Sequence, residues 1–174
     1  MRLPRIIIKG VCMKIWSRPN SASLYHLWLK LHCLPLGKWF VSRFLGFYVP
    51  YSGSIGANLV QLEPGYAKLM LKDKRKLRNH LNSIHAIALM NLGEMASGLA
   101  LNLGLPVTVR GIVTNICIEY EKKARGTLIA ECRCVIPQVT QDMEFIVHSV
   151  IRDMTQEVVA NTHVRWRLGL RNNV

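Results

Sequence analysis

Apolar and polar positions along this chain follow two periods. From Ala86 to Leu103 nearly every residue is apolar, the exceptions being chiefly Asn91, Glu94, Ser97 and Asn102. A run of that length, apolar on nearly every side, predicts a buried helix. A polar loop from Asn79 leads into it, and Gly104 and Pro106 mark its end. Upstream, Leu24, Leu27, Trp28 and Leu31 recur at helical spacing, and Trp39, Phe40, Phe44 and Phe47 form a second cluster. They predict two short amphipathic helices, Ser21–Cys33 and Gly37–Phe47, separated by Pro35 and Gly37. Gly46–Gly56 reads as a loop. Strand patterning covers Ile55–Leu62 and Tyr66–Leu71, joined by the turn Glu63-Pro64-Gly65, and returns after the helix at Val107–Tyr120, Thr127–Ile136, Met143–Arg152 and Glu157–Leu168. The last two form a hairpin around Asp153–Gln156.

Two strands, one long helix and four strands imply an α+β fold, with an antiparallel sheet around a single central helix. Residues 1–48 read as a basic N-terminal extension with two short helices, and residues 49–174 as the main domain. One helix covers only one face of one sheet and keeps apolar surface on its far side. Pairing of two such units relieves both exposures, so a homodimer is expected, with further pairing into a tetramer left open.

Charge narrows the choice of partners. The formal net charge is +13, and no acidic residue precedes Glu63, whereas Arg2, Arg5, Lys9, Lys14, Arg18, Lys30, Lys38 and Arg43 all do. Such a bias fits a phosphate-bearing ligand or weak contact with an anionic membrane surface. An aromatic RNA-binding motif and a recognition helix are both absent from the pattern, which argues against specific nucleic-acid binding. The five cysteines are odd in number and unpaired in spacing, so they read as reduced, packed thiols in a cytoplasmic protein. Cys132 and Cys134 share a strand face without a matching histidine cluster, and no metal site is expected. The N-terminus has too short an apolar run for a signal peptide, and Met13 offers an alternative start.

Glu94 is the residue that demands a reason. A carboxylate inside an oily helix needs a partner, or its pKa rises. One reading is a core helix whose Glu94 is satisfied by an arginine or a backbone amide. The other is a chemical site. Asn91, Glu94 and Gly98 lie on one stripe, with Gly98 leaving space a turn beyond the carboxyl. Asn79, His85 and Glu94 are six and nine residues apart. Nine helical residues turn through about 900°, so His85 and Glu94 face nearly opposite ways within one chain. Across a two-fold axis, the loop of one subunit can meet Glu94 of the other.

In order and spacing this stretch resembles the hotdog fold. It is similar to acyl-CoA thioesterases of the phenylacetate-degradation type, whose pattern is an Asn, then His-Gly-Gly, then Asp or Glu. The runs RNHLNSIHAIALMNLGEMASGLAL, EPGYAKLMLKDKRKLRN and VRWRLG resemble more closely a branch of that fold catalogued as a domain of unknown function. The resemblance implies hydrolysis of an acyl-CoA thioester at a dimer-interface site. Glu94 would attack the thioester carbon or activate a water. The Ala86 amide would stabilise the oxyanion at the helix start, Asn79 would orient carbonyl or water, and His85 would hold the loop. Ser83 is expected to cap the helix, Ser97 to bond Glu94, and His80 and Asn82 to line the mouth. Lys72, Lys74, Arg75, Lys76 and Arg78 would bind the phosphates of coenzyme A, with Lys122, Lys123 and Arg125 as weaker candidates. No cofactor is implied beyond coenzyme A as part of the substrate. His85-Ala86-Ile87 replaces His-Gly-Gly, and the bulk of Ile87 narrows the acyl site. The alternative is a hotdog protein that binds acyl-CoA or acyl chains without hydrolysing them.

Overall fold

The computed structural model describes residues 21–171. The expectations for Met13, Cys12 and the basic residues up to Arg18 lie outside them. The chain forms α1 (Ser21–Leu31), α2 (Gly37–Tyr48), α3 (Pro50–Gly53), β1 (Asn58–Glu63), β2 (Tyr66–Leu71), α4 (Ala86–Gly104), β3 (Val109–Tyr120), β4 (Leu128–Arg133), β5 (Met143–Asp153) and β6 (Val158–Leu170). The strands make one six-stranded antiparallel sheet in the order β1-β2-β4-β5-β6-β3. The sheet curves around α4, which lies against all six strands. This is the hotdog arrangement.

The helix sits deep because its sheet-facing side is apolar or small. Leu92, Ala96, Ala100 and Leu101 are fully buried, together with Leu69, Leu71, Ala130, Ile151 and Val164 of the sheet. Gly93 sets the closest approach. A Cβ there would lie 2.3 Å from Thr162 Oγ1 on β6. The carbonyl of Gly93 also accepts a 3.0 Å hydrogen bond from the buried Ser149 hydroxyl on β5. By length and composition α4 would suit a membrane span, yet half of that window is buried inside the protein.

The N-terminal helices close one sheet edge. Val41 and Leu45 of α2 and Trp28 of α1 join the core. Ser42 Oγ accepts from Leu59 N at 2.8 Å, and Lys38 Nζ donates to Val60 O at 3.0 Å. These bonds occupy backbone groups of edge strand β1 that would otherwise invite another strand. At the other edge, β3 pairs with β6 on one side, and no strand lies on its far side among the described residues.

Two local expectations change. Gly46–Gly56 is not all loop: α3 forms there, started by Pro50 at its first turn, where a missing N–H is harmless. It folds back on α2 because Gly46 and Gly53 meet. A Cβ on Gly53 would fall 2.4 Å from Gly46 Cα. The basic loop at Lys72–Arg78 contains a 3-10 turn, Arg75–Leu77, pinned by the buried Leu77.

Replacing Gly93 with alanine forces a methyl group into Thr162 and should cost about 1–3 kcal/mol of stability. Urea unfolding measures the loss, and an unchanged midpoint would contradict the packing described.

Candidate functional site

Glu94 projects from the side of α4 that the sheet leaves uncovered. It opens onto a cavity of about 280 Å³ between α4, α2, β1 and β6. The walls are mostly apolar: Phe44, Leu45 and Tyr48 from α2, Leu62 from β1, Met95 and Leu99 from α4, and Trp166 from β6. Leu24 of α1 closes one side. Asn102 and Ser52 are the other polar residues in the lining. The volume is roughly twice that of a dry cavity that accepts benzene.

Among the described residues neither an arginine nor a backbone amide satisfies Glu94. Its carboxylate makes no hydrogen bond or ion pair there, so the partner that the core-helix reading requires does not come from residues 21–171. Burial alone pushes its pKa above the ordinary value. The space expected beyond Gly98 is taken by the Trp166 ring, 3.3 Å from where a Cβ on Gly98 would stand. Glu94 Oε1 lies 3.7 Å from the same point. Trp166 therefore forms a wall beside the carboxylate, and its buried Nε1 has no hydrogen-bond partner among the described residues.

The start of α4 makes a separate site. His85 is the N-cap: its Nδ1 accepts from Ile87 N at 3.1 Å, while its carbonyl takes Ala88 N. The Ala86 N–H has no partner among the described residues, as the first amide of a helix is free to do. The Ala86 carbonyl accepts from Tyr120 Oη at 3.1 Å. His85, Ile87, Ala88 and Asn91 line a cleft of about 210 Å³ with Tyr51 and Lys76. Its lining shares no residue with the Glu94 cavity, and α3 contributes to both. Asn91 Nδ2 lies 3.5 Å from Tyr51 O, which keeps α3 over the helix.

Asn79 organises the loop. Its Oδ1 accepts from Leu81 N at 3.0 Å and Ser83 N at 3.2 Å. Ser83 is not the cap. Its hydroxyl is buried and donates to Ala124 O at 2.9 Å, leaving the capping role to His85. Ser97 does not reach the carboxylate either. It donates to the Glu94 backbone carbonyl at 2.9 Å. His80 is exposed, and Asn82 Oδ1 accepts from Arg78 Nη1 at 2.9 Å.

The cations divide. Arg78 is held by Asp73 at 2.7 Å, and that hydrogen bond keeps the Asp73 carboxyl below its usual range. Lys76 Nζ donates to Ser54 O at 3.0 Å. Lys122 is bound to Asp153 and Glu157, which makes it a structural clamp. Lys72, Arg78 and Arg125 surround a more open cleft of about 520 Å³, where Gly126 N donates to Asp73 Oδ2 at 3.0 Å. Arg75 and Lys123 are exposed, and Lys74 approaches Gly56. Groups of His, Cys, Asp and Glu that could hold a metal ion are absent among the described residues.

The model of a family described as a domain of unknown function, DUF4442, matches residues 37–168. The chain belongs to the DUF4442 family. Solved structures similar to this DUF4442 chain share the hotdog fold. A genomics target is 26% identical with a TM-score of 0.73, over 85% of this chain and 98% of that one. A Pseudomonas aeruginosa protein called a probable thioesterase is 23% identical with a TM-score of 0.69, over 79% of this chain and 97% of that one. A Streptococcus mutans protein bound to acetyl CoA is 21% identical with a TM-score of 0.57, over 67% and 91%. No curated protein matches the sequence.

The unpaired carboxylate has a measurable signature. An acid whose pKa is raised by folding contributes stability that is complete below its unfolded value and lost as pH rises through the raised one. From the ordinary glutamate value of 4.5 upward, the wild type should therefore lose stability relative to Glu94→Gln. Urea unfolding of both proteins across that range checks the sign, and parallel curves would contradict it.

Proposed function

We propose that this protein hydrolyses an acyl-CoA thioester, with Glu94 as the reacting carboxylate. The observation that carries the reading is an unpartnered, half-buried Glu94 at the wall of an apolar cavity of about 280 Å³. Catalytic bases are poised by burial of this kind. The acyl chain would occupy the cavity between α2 and α4. Glu94 would either attack the thioester carbonyl carbon or take a proton from a water that attacks it. In both routes the C–S bond breaks and the thiolate of coenzyme A leaves and takes up a proton; attack by Glu94 leaves a mixed anhydride that a water then hydrolyses, restoring the carboxylate, whereas attack by water releases the acyl group directly as a carboxylate.

The remaining groups come from a second copy. Within one chain His85, at the start of α4, and Glu94 open onto different cavities. A homodimer joined along the uncovered edge of β3 supplies the missing half, with Ala86 as the oxyanion donor, Asn79 offering its side-chain amide and His85 fixing the turn. The three cations at Lys72, Arg78 and Arg125 supply a seat for the phosphates. The acetyl CoA bound to the Streptococcus mutans structure is consistent with a ligand of that class.

One observation favours a second reading. Ile87 is 50% exposed in the cleft at the helix start, adding bulk where the thioester would lie. A protein that binds acyl-CoA without cleaving it would tolerate that bulk.

Hydrolysis and binding across a panel of acyl-CoA thioesters separate the two. The hydrolase predicts turnover that falls about 10²–10⁴-fold in Glu94→Gln, with binding retained. Binding without turnover in the wild type establishes the second reading. Replacing Lys72 and Arg125 together with glutamate should raise KM about tenfold or more with little change in kcat. A kcat effect instead would remove those cations from the phosphate seat.

A further inference from the structure

The helix α2 has a second face that the core does not use. Val41, Ser42 and Leu45 point inward and are buried. On the opposite side Trp39, Phe40, Phe44 and Phe47 are 50%, 56%, 38% and 86% exposed, and Tyr51 of the following helix α3 is also exposed. The four α2 rings fall on one side of the helix by their spacing. Soluble surfaces scatter single apolar residues, whereas a contiguous aromatic patch marks a docking surface.

Charge says what covers it. Arg43 lies within the same stripe, and α1, α2 and α3 carry no acidic residue. The Arg43 guanidinium and the Lys74 ammonium converge on Gly56, 3.8 and 3.2 Å from where a Cβ would stand. Neither is in an ion pair among the described residues. We propose that this face docks on an anionic phospholipid bilayer. The rings would enter the boundary between headgroups and acyl chains, and Arg43 and Lys74 would meet lipid phosphates. A second copy is the poorer occupant. Two-fold pairing through this face would bring Arg43 and Lys74 of both copies into one interface, with no carboxylate from these helices to neutralise them.

Docking also places the cavity. Phe44 belongs both to the exposed stripe and to the wall of the Glu94 cavity, and Tyr48 and Val49 of that wall are exposed as well. The acyl cavity would then face the bilayer, giving a chain dissolved in the membrane a short path to it. The docking itself rests on the surface alone, and it stands whether or not Glu94 cleaves a thioester.

Co-sedimentation of the full chain with vesicles tests this. Wild-type protein should bind vesicles of phosphatidylcholine mixed with phosphatidylglycerol at least about tenfold more tightly than phosphatidylcholine alone. The double variant Phe40→Ser, Phe47→Ser and the single variant Arg43→Glu should each lose about tenfold or more of that binding. Both should keep the wild-type melting temperature and elution volume, since the altered side chains are exposed. Equal binding to both vesicle types, or unchanged binding in the variants, would overturn the proposal. A shift of the variants to a smaller assembly would also overturn it and assign the face to contact between copies.

Discussion

The approach of α4 to β6 at Gly93 fixes how the central helix is rotated. With no side chain at that position, the helix backbone settles onto Thr162, and the Ser149 hydroxyl ties the Gly93 carbonyl to the sheet. Once Gly93 faces the strands, helical geometry turns its neighbour Glu94 about 100° away from that contact. The carboxylate is thereby carried off the sheet yet kept out of bulk water by α2, α3 and Trp166. An unpaired acid in that position costs stability, and close packing of Leu92, Ala96, Ala100 and Leu101 on the same helix offsets it.

The same rotation explains the division of polar groups into two cavities. His85 faces a cleft lined by α3 and the basic turn, while Glu94 looks toward α2 and β6. The helix N-terminus favours developing negative charge, and the apolar cavity favours a neutral carboxyl. In the proposed hydrolysis a raised pKa would make the ionised Glu94 a stronger proton acceptor, while the helix start would stabilise the oxyanion. In that proposal a second copy, paired along the uncovered edge of β3, would bring the two together.

The elements were legible from the sequence because each has a strong period and clear punctuation. The central helix begins at Ala86 and extends to Gly104, one residue beyond the apolar run, and the six strands fall within a few residues of their expected limits. What the sequence hid depends on distant contacts. Ser83 has the right chemistry for a cap, but Ala124, forty-one positions away, draws its hydroxyl elsewhere. The space beside Gly98 is closed by Trp166 from the last strand. Four-residue α3 has no room for a hydrophobic period, and a contact between two glycines holds it. Glu94 itself stood out in the sequence, because a lone carboxylate in an oily helix breaks the local rule. That α2 walls its cavity carried no signal, since a helix pattern does not say which surface it will cover.

The central claim is that the Glu94 cavity receives the acyl chain. A crystal structure of the protein with a thioether analogue of an acyl-CoA tests it most directly. The account predicts the acyl chain between α2 and α4, with the atom that replaces the thioester carbonyl in reach of Glu94 and the nucleotide among Lys72, Arg78 and Arg125. An analogue seated with its acyl chain outside that cavity, and Glu94 untouched, would contradict it.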